Sequence, residues 1–332
     1  MRELILIFTD LFIAERAAIP QFVPALPALS ALLTRGEVQF CGDWRHWVLR
    51  DVAGCDVLPV PVAAISRHAV PSEGACDGAE HGWWLATPVH LDAGLTRVNM
   101  SAQPVSLSAE EWSAVAAEFN RLFAADGFQF STGTGVVAVL AASSAIEAIT
   151  TDPMRVLGQD VGPALPSGPD GRALRRLMTG AQMWLHDHPL NESRRQRGEP
   201  RVNGLWIWGG GPEPQAFPLR QLPRLLSTDP YLLGLWRLMK GGVEAEAGHF
   251  DALAVSDLDC AIVTLECTRS SDLTQRLDEI DRQWMAPVLR ALREGRLESL
   301  VLHLNDRLLR VNRFDAFRFW RTRRHWLEAA AC

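Results

Sequence analysis

Apolar residues along this chain fall into two alternating patterns, short continuous blocks and longer stretches with helical spacing, which together favour an α/β fold. The block at residues 4–8 predicts a buried strand, and Asp10 lies just beyond its carboxyl end. Residues 259–265 and 300–304 predict two more buried strands, with apolar residues at helical spacing over 273–292 between them. Because a strand, a helix and a second strand in this order form a crossover, we expect a parallel sheet that the N-terminal strand is able to join.

The middle of the chain predicts a separate set of elements. Ser108 and Glu111 have the spacing of a helix capping box, and apolar residues with helical spacing follow as far as Gly127. With strands of one sheet near both ends of the chain, this middle part is expected to be an insertion. The other predicted elements are a helix over 28–34 closed by Gly36, loops and short strands over 41–106, a hairpin of 128–130 and 135–141, and a helix over 173–186.

The composition is that of a globular protein able to bury a substantial core, with 332 residues of which 48% are hydrophobic and 22% are charged. A balance of 33 basic against 39 acidic residues argues against a nucleic-acid partner, whose phosphates require a basic surface. The six cysteines include no C-x-x-C pair, so they predict reduced thiols and no zinc site. The apolar N-terminal run is too short to span a membrane, so we predict a cytoplasmic protein without a membrane partner.

The candidate chemistry is concentrated between residues 186 and 211. Arginines and asparagines cluster there, immediately before an apolar, strand-like run that ends in three glycines. Arginine presents a planar set of donors suited to carboxylate or phosphate, and glycines let a ligand approach the backbone. The structural alternative is a helix face whose arginines are solvated or paired with acids such as Glu192 and Glu199. The predicted anion-binding residues are Asn191, Arg194, Arg197, Arg201, Asn203, Trp208, Gly209, Gly210 and Gly211.

A second arginine cluster lies near the C-terminus, where arginines alternate with aromatic residues. Such a pattern suits RNA or an acidic partner. Because the net charge of the chain is −6, we expect instead a solvated face whose aromatic residues pack inward. The residues concerned are Arg318, Phe319, Trp320, Arg321, Arg323, Arg324 and Trp326.

The region 182–211 resembles two related groups of proteins. One is the archaeal-type cofactor-independent phosphoglycerate mutases of the alkaline phosphatase superfamily, and the closer one is the bacterial regulatory-protein family of RpfE type, often described as phosphoglycerate-mutase-like. The resemblance implies an alkaline-phosphatase-like α/β core with a mostly parallel sheet, built from 1–102 and 203–332, and an inserted α+β subdomain over 103–202. The resemblance to the mutases rests on Asn191, Arg194, Gly198, Pro200, Asn203, Trp208, Gly209 and Gly211, and the resemblance to the RpfE type rests on residues 182–186, 188–192 and 203–211.

The resemblance also implies a test of catalytic activity, because mutases of this superfamily hold two divalent cations with Asp and His side chains and use a Ser or Thr nucleophile. Asp10 matches the first metal-binding aspartate. After the later strands only Asp272 and Asp306 remain, and Arg307 stands where a ligand is expected. Cys55 lies roughly at the nucleophile position, where a buried thiol is the preferred interpretation. We therefore predict no metal and no other cofactor, with the three aspartates as vestigial ligands.

These inferences favour a catalytically degenerate phosphoglycerate-mutase-like protein with a regulatory role, which binds a small phosphate- or carboxylate-bearing ligand or a partner protein. One alternative is an active metal-dependent phosphomutase or phosphatase with a reduced metal set. Another is an interaction module in which the 186–211 motif only packs the insert onto the core. The sequence indicates neither the oligomeric state nor the identity of the ligand or partner.

Overall fold

The computed structural model describes residues 1–11, 24–69, 82–132, 137–211, 214, 216–253, 259–268, 272–304, 306–322 and 325–331. Its strands are β1 (Glu3–Phe8), β2 (Glu37–Phe40), β3 (Trp83–Val89), β4 (Leu91–Ala93), β5 (Val98–Met100), β6 (Phe128–Thr132), β7 (Ala138–Ala142), β8 (Gly204–Gly211), β9 (Arg224–Leu226), β10 (Val243–Glu244), β11 (Cys260–Leu265), β12 (Ser299–Leu304) and β13 (Arg307–Asn312). Its α-helices are α1 (Pro27–Arg35), α2 (Trp44–Trp47), α3 (Val62–Ser66), α4 (Ala109–Leu122), α5 (Gly171–His186), α6 (Leu190–Gln196), α7 (Pro230–Leu238), α8 (Leu273–Ile280), α9 (Ala286–Glu294) and α10 (Trp326–Ala331).

The first of two units, Met1–Asp56 with Pro218–Cys332, contains a sheet whose seven described strands run in the order β10-β9-β11-β1-β12-β13-β2. The strands from β10 to β12 are parallel to their neighbours, whereas β13 and β2 add an antiparallel edge. The N-terminal strand β1 lies between β11 and β12, so it occupies the centre of the predicted crossover. The predicted α/β fold with a mostly parallel sheet is confirmed.

The central strand β1 is apolar throughout because both of its faces are covered. Leu4, Leu6 and Phe8 belong to one hydrophobic cluster with residues of α1, α8 and α9. Ile5 and Ile7 are buried as well, and successive side chains of a strand point to opposite faces. Burial on both faces explains why this strand has a continuous apolar run instead of an alternating pattern.

The helix predicted over 273–292 consists of α8, a π-helical segment (Asp281–Met285) and α9 in direct succession. The π-helical segment contains the buried Asp281, whose carboxylate accepts hydrogen bonds from the backbone N–H groups of Ala28 (3.1 Å) and Leu29 (2.7 Å). Leu26, the residue before α1, offers no side-chain cap, so Asp281 satisfies the start of that helix from a distant part of the chain. Burial raises the pKa of the Asp281 carboxyl, and the two backbone hydrogen bonds oppose that rise.

The second unit, Val57–Phe217, contains an antiparallel sheet in the order β6-β7-β3-β8 among the residues described. α4 begins with the predicted capping box: the Ser108 hydroxyl accepts from the Glu111 N–H at 3.2 Å, and the Glu111 carboxylate accepts from the Ser108 N–H at 2.9 Å. β6 and β7 form the predicted hairpin, and α5 contains the helix predicted over 173–186. α4 packs against β6 and α5 packs against β8.

The boundaries between the units differ from those the sequence predicts. The predicted insert, 103–202, leaves β3 and β8 in the core, whereas both strands belong to the second unit. β3 pairs with β7 on one side and with β8 on the other, so the antiparallel ladder joins both strands to the insert. An apolar run indicates that a strand is buried, but it does not tell to which sheet the strand belongs.

The segment 41–106 is also more regular than predicted. α2, followed by a π-helical segment (Val48–Val52), and α3 lie where the sequence indicates only loops and short strands. These helices are too short for a helical apolar repeat to be recognised. Within the described ranges, no helix combines the length and apolarity required to cross a bilayer. The cytoplasmic location stays a prediction.

Candidate functional site

The 186–211 motif folds as a short helix, a turn and a buried strand within the second unit. α6 is followed by a turn at Gly198, whose φ of 71° suits glycine, and the chain then enters β8. Asn191 ties these parts together, because its side-chain amide donates to the carbonyl oxygens of Leu185 and Val202, each at 2.9 Å. Its Oδ1 accepts from the Val202 N–H at 2.8 Å. Asn191 is buried, so its amide holds the loop closed.

Arg194 is 3% exposed, and its guanidinium is paired with two carboxylates of the same chain. Its Nε donates to the Pro200 carbonyl at 2.7 Å, and its Nη1 donates to Glu111 Oε2 at 2.8 Å. The same Nη1 lies 3.3 Å from Oε2 of Glu199. A buried charge needs such partners, and the protein itself supplies them here.

Arg197 extends this ion-pair cluster to the surface. Its Nη2 donates to Glu111 Oε1 at 2.5 Å and to Glu199 Oε2 at 2.9 Å, and its Nε donates to Glu199 Oε1 at 2.9 Å. The hydrogen bonds with Glu199 and Glu111 raise the pKa of the Arg197 guanidinium. The hydrogen bond from Arg197 in turn lowers the pKa of Glu199. Arg194, Arg197, Glu111 and Glu199 therefore form a cluster with no net charge.

Glu111 is the ion-pair partner of Arg194 and Arg197 that the sequence did not reveal. Its capping-box role is visible locally, yet the same carboxylate also accepts hydrogen bonds from Arg194 and Arg197, which lie 83 and 86 residues further along the chain. Its side chain is only 11% exposed. The sequence suggested Glu192 and Glu199 as acids for this cluster. Glu199 does take part, whereas Glu192 pairs with Arg195 on the outer face of α6.

Two further motif residues form hydrogen bonds with neighbouring strands. Asn203 makes paired hydrogen bonds with the backbone of Leu91: its Oδ1 accepts from the N–H at 2.7 Å, and its Nδ2 donates to the carbonyl at 2.8 Å. Trp208 donates from Nε1 to the Thr87 hydroxyl on the adjacent strand at 2.9 Å. Asn203 thus connects the start of β8 to β4, and Trp208 connects β8 to β3.

The three glycines are needed for close packing. Gly209 has a φ of 68° and donates its N–H to the Thr150 hydroxyl at 3.1 Å. A Cβ on Gly210 would lie 2.3 Å from the Trp84 ring, a distance no real contact tolerates. Gly211 has a φ of 158°. The ring of Trp84 occupies the space at Gly210 that a ligand would need.

These contacts bear on the predicted anion clamp, which stays a prediction. Arg194 and Arg197 are paired with internal carboxylates, and Arg201 donates to the carbonyl oxygen of His186 at 2.8 Å. Glutamates and backbone carbonyls thus accept hydrogen bonds from guanidinium groups that a phosphate or carboxylate ligand would also use. His188 likewise has a carboxylate partner, Glu118, at 2.9 Å from its Nε2.

In the first unit, polar residues lie at the carboxyl ends of the parallel strands, where α/β sheets bind ligands. Asp10 follows β1 and is 4% exposed. Its Oδ1 accepts from the Cys267 N–H at 2.8 Å, and its Oδ2 accepts from the Thr268 N–H at 2.6 Å and from the Thr268 hydroxyl. Asp10 thereby fastens the end of β1 to the turn after the neighbouring β11.

The other two aspartates of the predicted vestigial set also have protein partners. Asp272 caps α8 by accepting from the Gln275 N–H at 3.1 Å. The Asp306 carboxylate lies 3.7 Å from Arg307 Nε. Among the residues described, no cluster of three His, Cys, Asp or Glu side chains suits a metal ion. Because Asp10 accepts backbone N–H groups and a guanidinium adjoins Asp306, these residues do not fit a pair of divalent cations.

Burial raises the pKa of two cysteines, Cys55 at the expected nucleophile position and Cys41 beside His303. Burial, followed by the nearby Asp56, raises the pKa of Cys55. Cys41 lies 3.6 Å from Nδ1 of His303, and burial with the adjacent Asp306 raises its pKa to about 12. Burial lowers the pKa of His303 to about 3. These shifts disfavour the thiolate that nucleophilic attack requires.

No family model matches the chain. It is 26% identical over 186 residues to the 2,3-bisphosphoglycerate-independent phosphoglycerate mutase of Methanothrix thermoacetophila, a match that covers 48% of this chain and 47% of that protein. It is 32% identical over 72 residues to the enzyme of the same name from Methanosarcina barkeri, which covers 22% of this chain and 18% of that protein. The chain thus spans about half, or less, of the length of these curated relatives.

Among solved structures, the PH0037 protein from Pyrococcus horikoshii has a TM-score of 0.45 and 15% identity, with coverage of 94% of this chain and 87% of that one. The cofactor-independent phosphoglycerate mutase from Thermoplasma acidophilum has a TM-score of 0.40 and 16% identity, with coverage of 94% and 89%. The curated relatives confirm a distant similarity to phosphoglycerate mutases, whereas the closer resemblance to the RpfE type stays a prediction.

Proposed function

We propose that this protein is a catalytically degenerate relative of the phosphoglycerate mutases, with an alkaline-phosphatase-like core, and that it acts in regulation by binding a partner protein. The distant sequence similarity to two archaeal mutases supports the relationship. Regulation and the loss of catalysis are our inference from the residues at the carboxyl edge of the parallel sheet.

The environment of Asp10 carries the proposal. A metal-binding carboxylate directs its lone pairs towards the cation, whereas Asp10 directs them towards two backbone N–H groups and a hydroxyl of residues 267 and 268. Two of these donors belong to the backbone and stay in place whatever the pH. The aspartate therefore stabilises the contact between two neighbouring strands, which is a reason to retain it after a metal site has been lost.

The ion-pair cluster of the 186–211 motif supports one of the two kinds of ligand over the other. A small anion at Arg194 would have to displace Glu111, which is itself only 11% exposed and would be left as a buried charge. This cost favours a partner protein over a small phosphate or carboxylate ligand at the motif.

The names of the curated relatives favour a second candidate, an active phosphomutase or phosphatase with a reduced metal set. In that case Asp10 would need to exchange a backbone partner for a cation. Activity would then depend on added metal, and this dependence separates the two candidates.

Metal analysis combined with a mutase assay tests the proposal. We expect protein purified without chelator to contain substoichiometric zinc and manganese, and to convert no 3-phosphoglycerate when manganese is added. The Methanothrix mutase serves as the positive control in the same assay. Asp10→Asn should destabilise the protein by about 2–3 kcal/mol, equally with and without chelator, because it disrupts charge-assisted hydrogen bonds. A stoichiometric metal whose removal abolishes turnover would overturn the proposal.

A further inference from the structure

The segment after β13 exposes four aromatic rings, and two of them, Phe319 and Trp320, were predicted to pack inward. Phe314, Phe317, Phe319 and Trp320 are 70%, 51%, 80% and 69% exposed, whereas Trp326, at 2%, is packed inward as expected. Isolated exposed apolar residues are ordinary, but four large rings within seven residues are a feature that usually marks an interaction surface. With Arg313, the four rings form what we call the C-terminal aromatic patch.

The patch is held in place by its own buried side. Ala316 is 1% exposed and belongs to the hydrophobic core of the first unit, and its carbonyl accepts from Arg35 Nη1 at 3.0 Å. Asp315 is 5% exposed and accepts from the Asn312 N–H at 3.0 Å, while its Oδ1 lies 2.8 Å from Arg318 Nη2. The buried residues Asp315 and Ala316 therefore fix the position of the segment, while the four aromatic rings are exposed.

Two of the rings are in contact, and backbone turns connect the residues that carry all four. The Phe317 N–H donates to the Phe314 carbonyl at 3.2 Å, and the Phe319 N–H donates to the Phe317 carbonyl at 2.7 Å. The Phe319 and Trp320 rings meet edge to face with their centroids 5.5 Å apart. Successive tight turns thus keep the four exposed residues within one short, compact segment.

The patch carries positive charge in a chain whose net charge is −6. The guanidinium of Arg313 lies 4.7 Å from the Phe314 ring centroid, and the described residues provide it with no carboxylate. Arg321 donates from Nη1 to the Gly36 carbonyl at 2.9 Å, and Arg318 is paired with Asp315. Arg313 and Arg321 therefore leave positive charge beside the rings for a negatively charged partner.

We propose that the C-terminal aromatic patch binds a partner protein through a segment that combines apolar side chains with Asp or Glu. The inference rests on the proposed function only in so far as that function includes a protein partner. Aromatic residues and arginine are the residue types that contribute most binding energy at protein interfaces. RNA fits less well, because the phosphates of an RNA backbone require several arginines to neutralise them, whereas Arg318 forms an ion pair with Asp315.

Selection from a library of short random peptides tests this inference. The bait is the full chain, and the library is first depleted on the double variant Phe319→Ala and Trp320→Ala. We expect enrichment of peptides rich in Asp or Glu and in large apolar residues. Anisotropy titration of the enriched peptide should show at least a tenfold loss of affinity in the double variant. Arg313→Gln should weaken binding and reduce its dependence on salt.

Phe40→Ala is the matched control, because Phe40 is 67% exposed on β2 and lies outside the patch. It should leave the affinity unchanged. Equal losses in the control and the double variant would overturn the proposal, as would enrichment of basic or uncharged peptides or a failure to enrich any peptide. If the parent protein binds single-stranded RNA and the double variant does not, the proposal is overturned in favour of a nucleic-acid site. If the parent protein dimerises and the double variant does not, the proposal is overturned in favour of a second copy of this chain as the occupant. None of these measurements depends on metal content or mutase activity, so the two proposals fail separately.

Discussion

Replacing Arg194 with Met distinguishes a structural ion pair from a ligand site. Methionine keeps much of the apolar length of the side chain but removes the guanidinium. The change leaves Glu111 buried with fewer partners and leaves the Pro200 carbonyl without its donor. Breaking a buried ion pair from one side costs about 3–5 kcal/mol. Because Glu111 keeps Arg197 and the Ser108 N–H, we expect a loss near the lower limit, about 3 kcal/mol.

Denaturation in urea, followed by circular dichroism, measures this loss as a lower midpoint with an unchanged slope. For a unit of ~150 residues, a destabilisation of this size lowers Tm by about 6–12 °C. Arg195→Met is the matched control, since Arg195 lies on the same helix, pairs with Glu192 and has a side chain that is 69% exposed. Exposed ion pairs contribute little to stability, so we expect no resolvable change in the control.

A double-mutant cycle with Glu111→Gln measures the interaction energy between Arg194 and Glu111 separately from the other contacts of the site. The coupling between Arg194 and Glu111 should be favourable and larger than the coupling between Arg195 and Glu111. The reasoning is refuted if Arg194→Met and Arg195→Met are equally stable. It is refuted as well if phosphate or 3-phosphoglycerate raises the Tm of the parent protein but not that of Arg194→Met, because Arg194 would then face a ligand.

Two further predictions concern a buried histidine and a glycine. The pKa of His303 in the folded protein, about 3, lies below its ordinary value of 6.5. As the pH falls below 6.5, the unfolded chain therefore takes up a proton that the folded protein does not. The stability that His303 contributes is complete above pH 6.5 and is lost as the pH falls towards 3. Denaturation at pH 7 and pH 5 should show a loss about 2 kcal/mol larger in the parent than in His303→Phe, and equal losses would contradict the assignment. Gly210→Ala should destabilise the protein by about 1–3 kcal/mol, because the new Cβ meets the buried Trp84 ring. Gly248→Ala, where nothing lies within 4 Å, should be close to neutral in the same thermal melts.

Patterns that depend on neighbouring residues were readable from the sequence. The capping box of α4, the end of α1 at Gly36 and the buried strands of the parallel sheet all follow from side-chain types within one or two turns or one strand. The position of Asp10 after a buried strand followed from the same kind of evidence. What Asp10 binds did not, because its donors belong to residues 267 and 268.

The cluster of arginines in the 186–211 motif could be recognised from the sequence, but its role could not. An arginine is equally suited to a ligand phosphate and to an internal carboxylate, and only the tertiary structure brings Glu111 to Arg194. The same holds for β3 and β8, whose apolar runs indicate burial but whose antiparallel pairing with the insert depends on long-range contacts. Local sequence thus determined which segments are strands, helices and caps, whereas tertiary structure decided which charges meet and which aromatic rings stay exposed, because those outcomes depend on residues far apart in the chain.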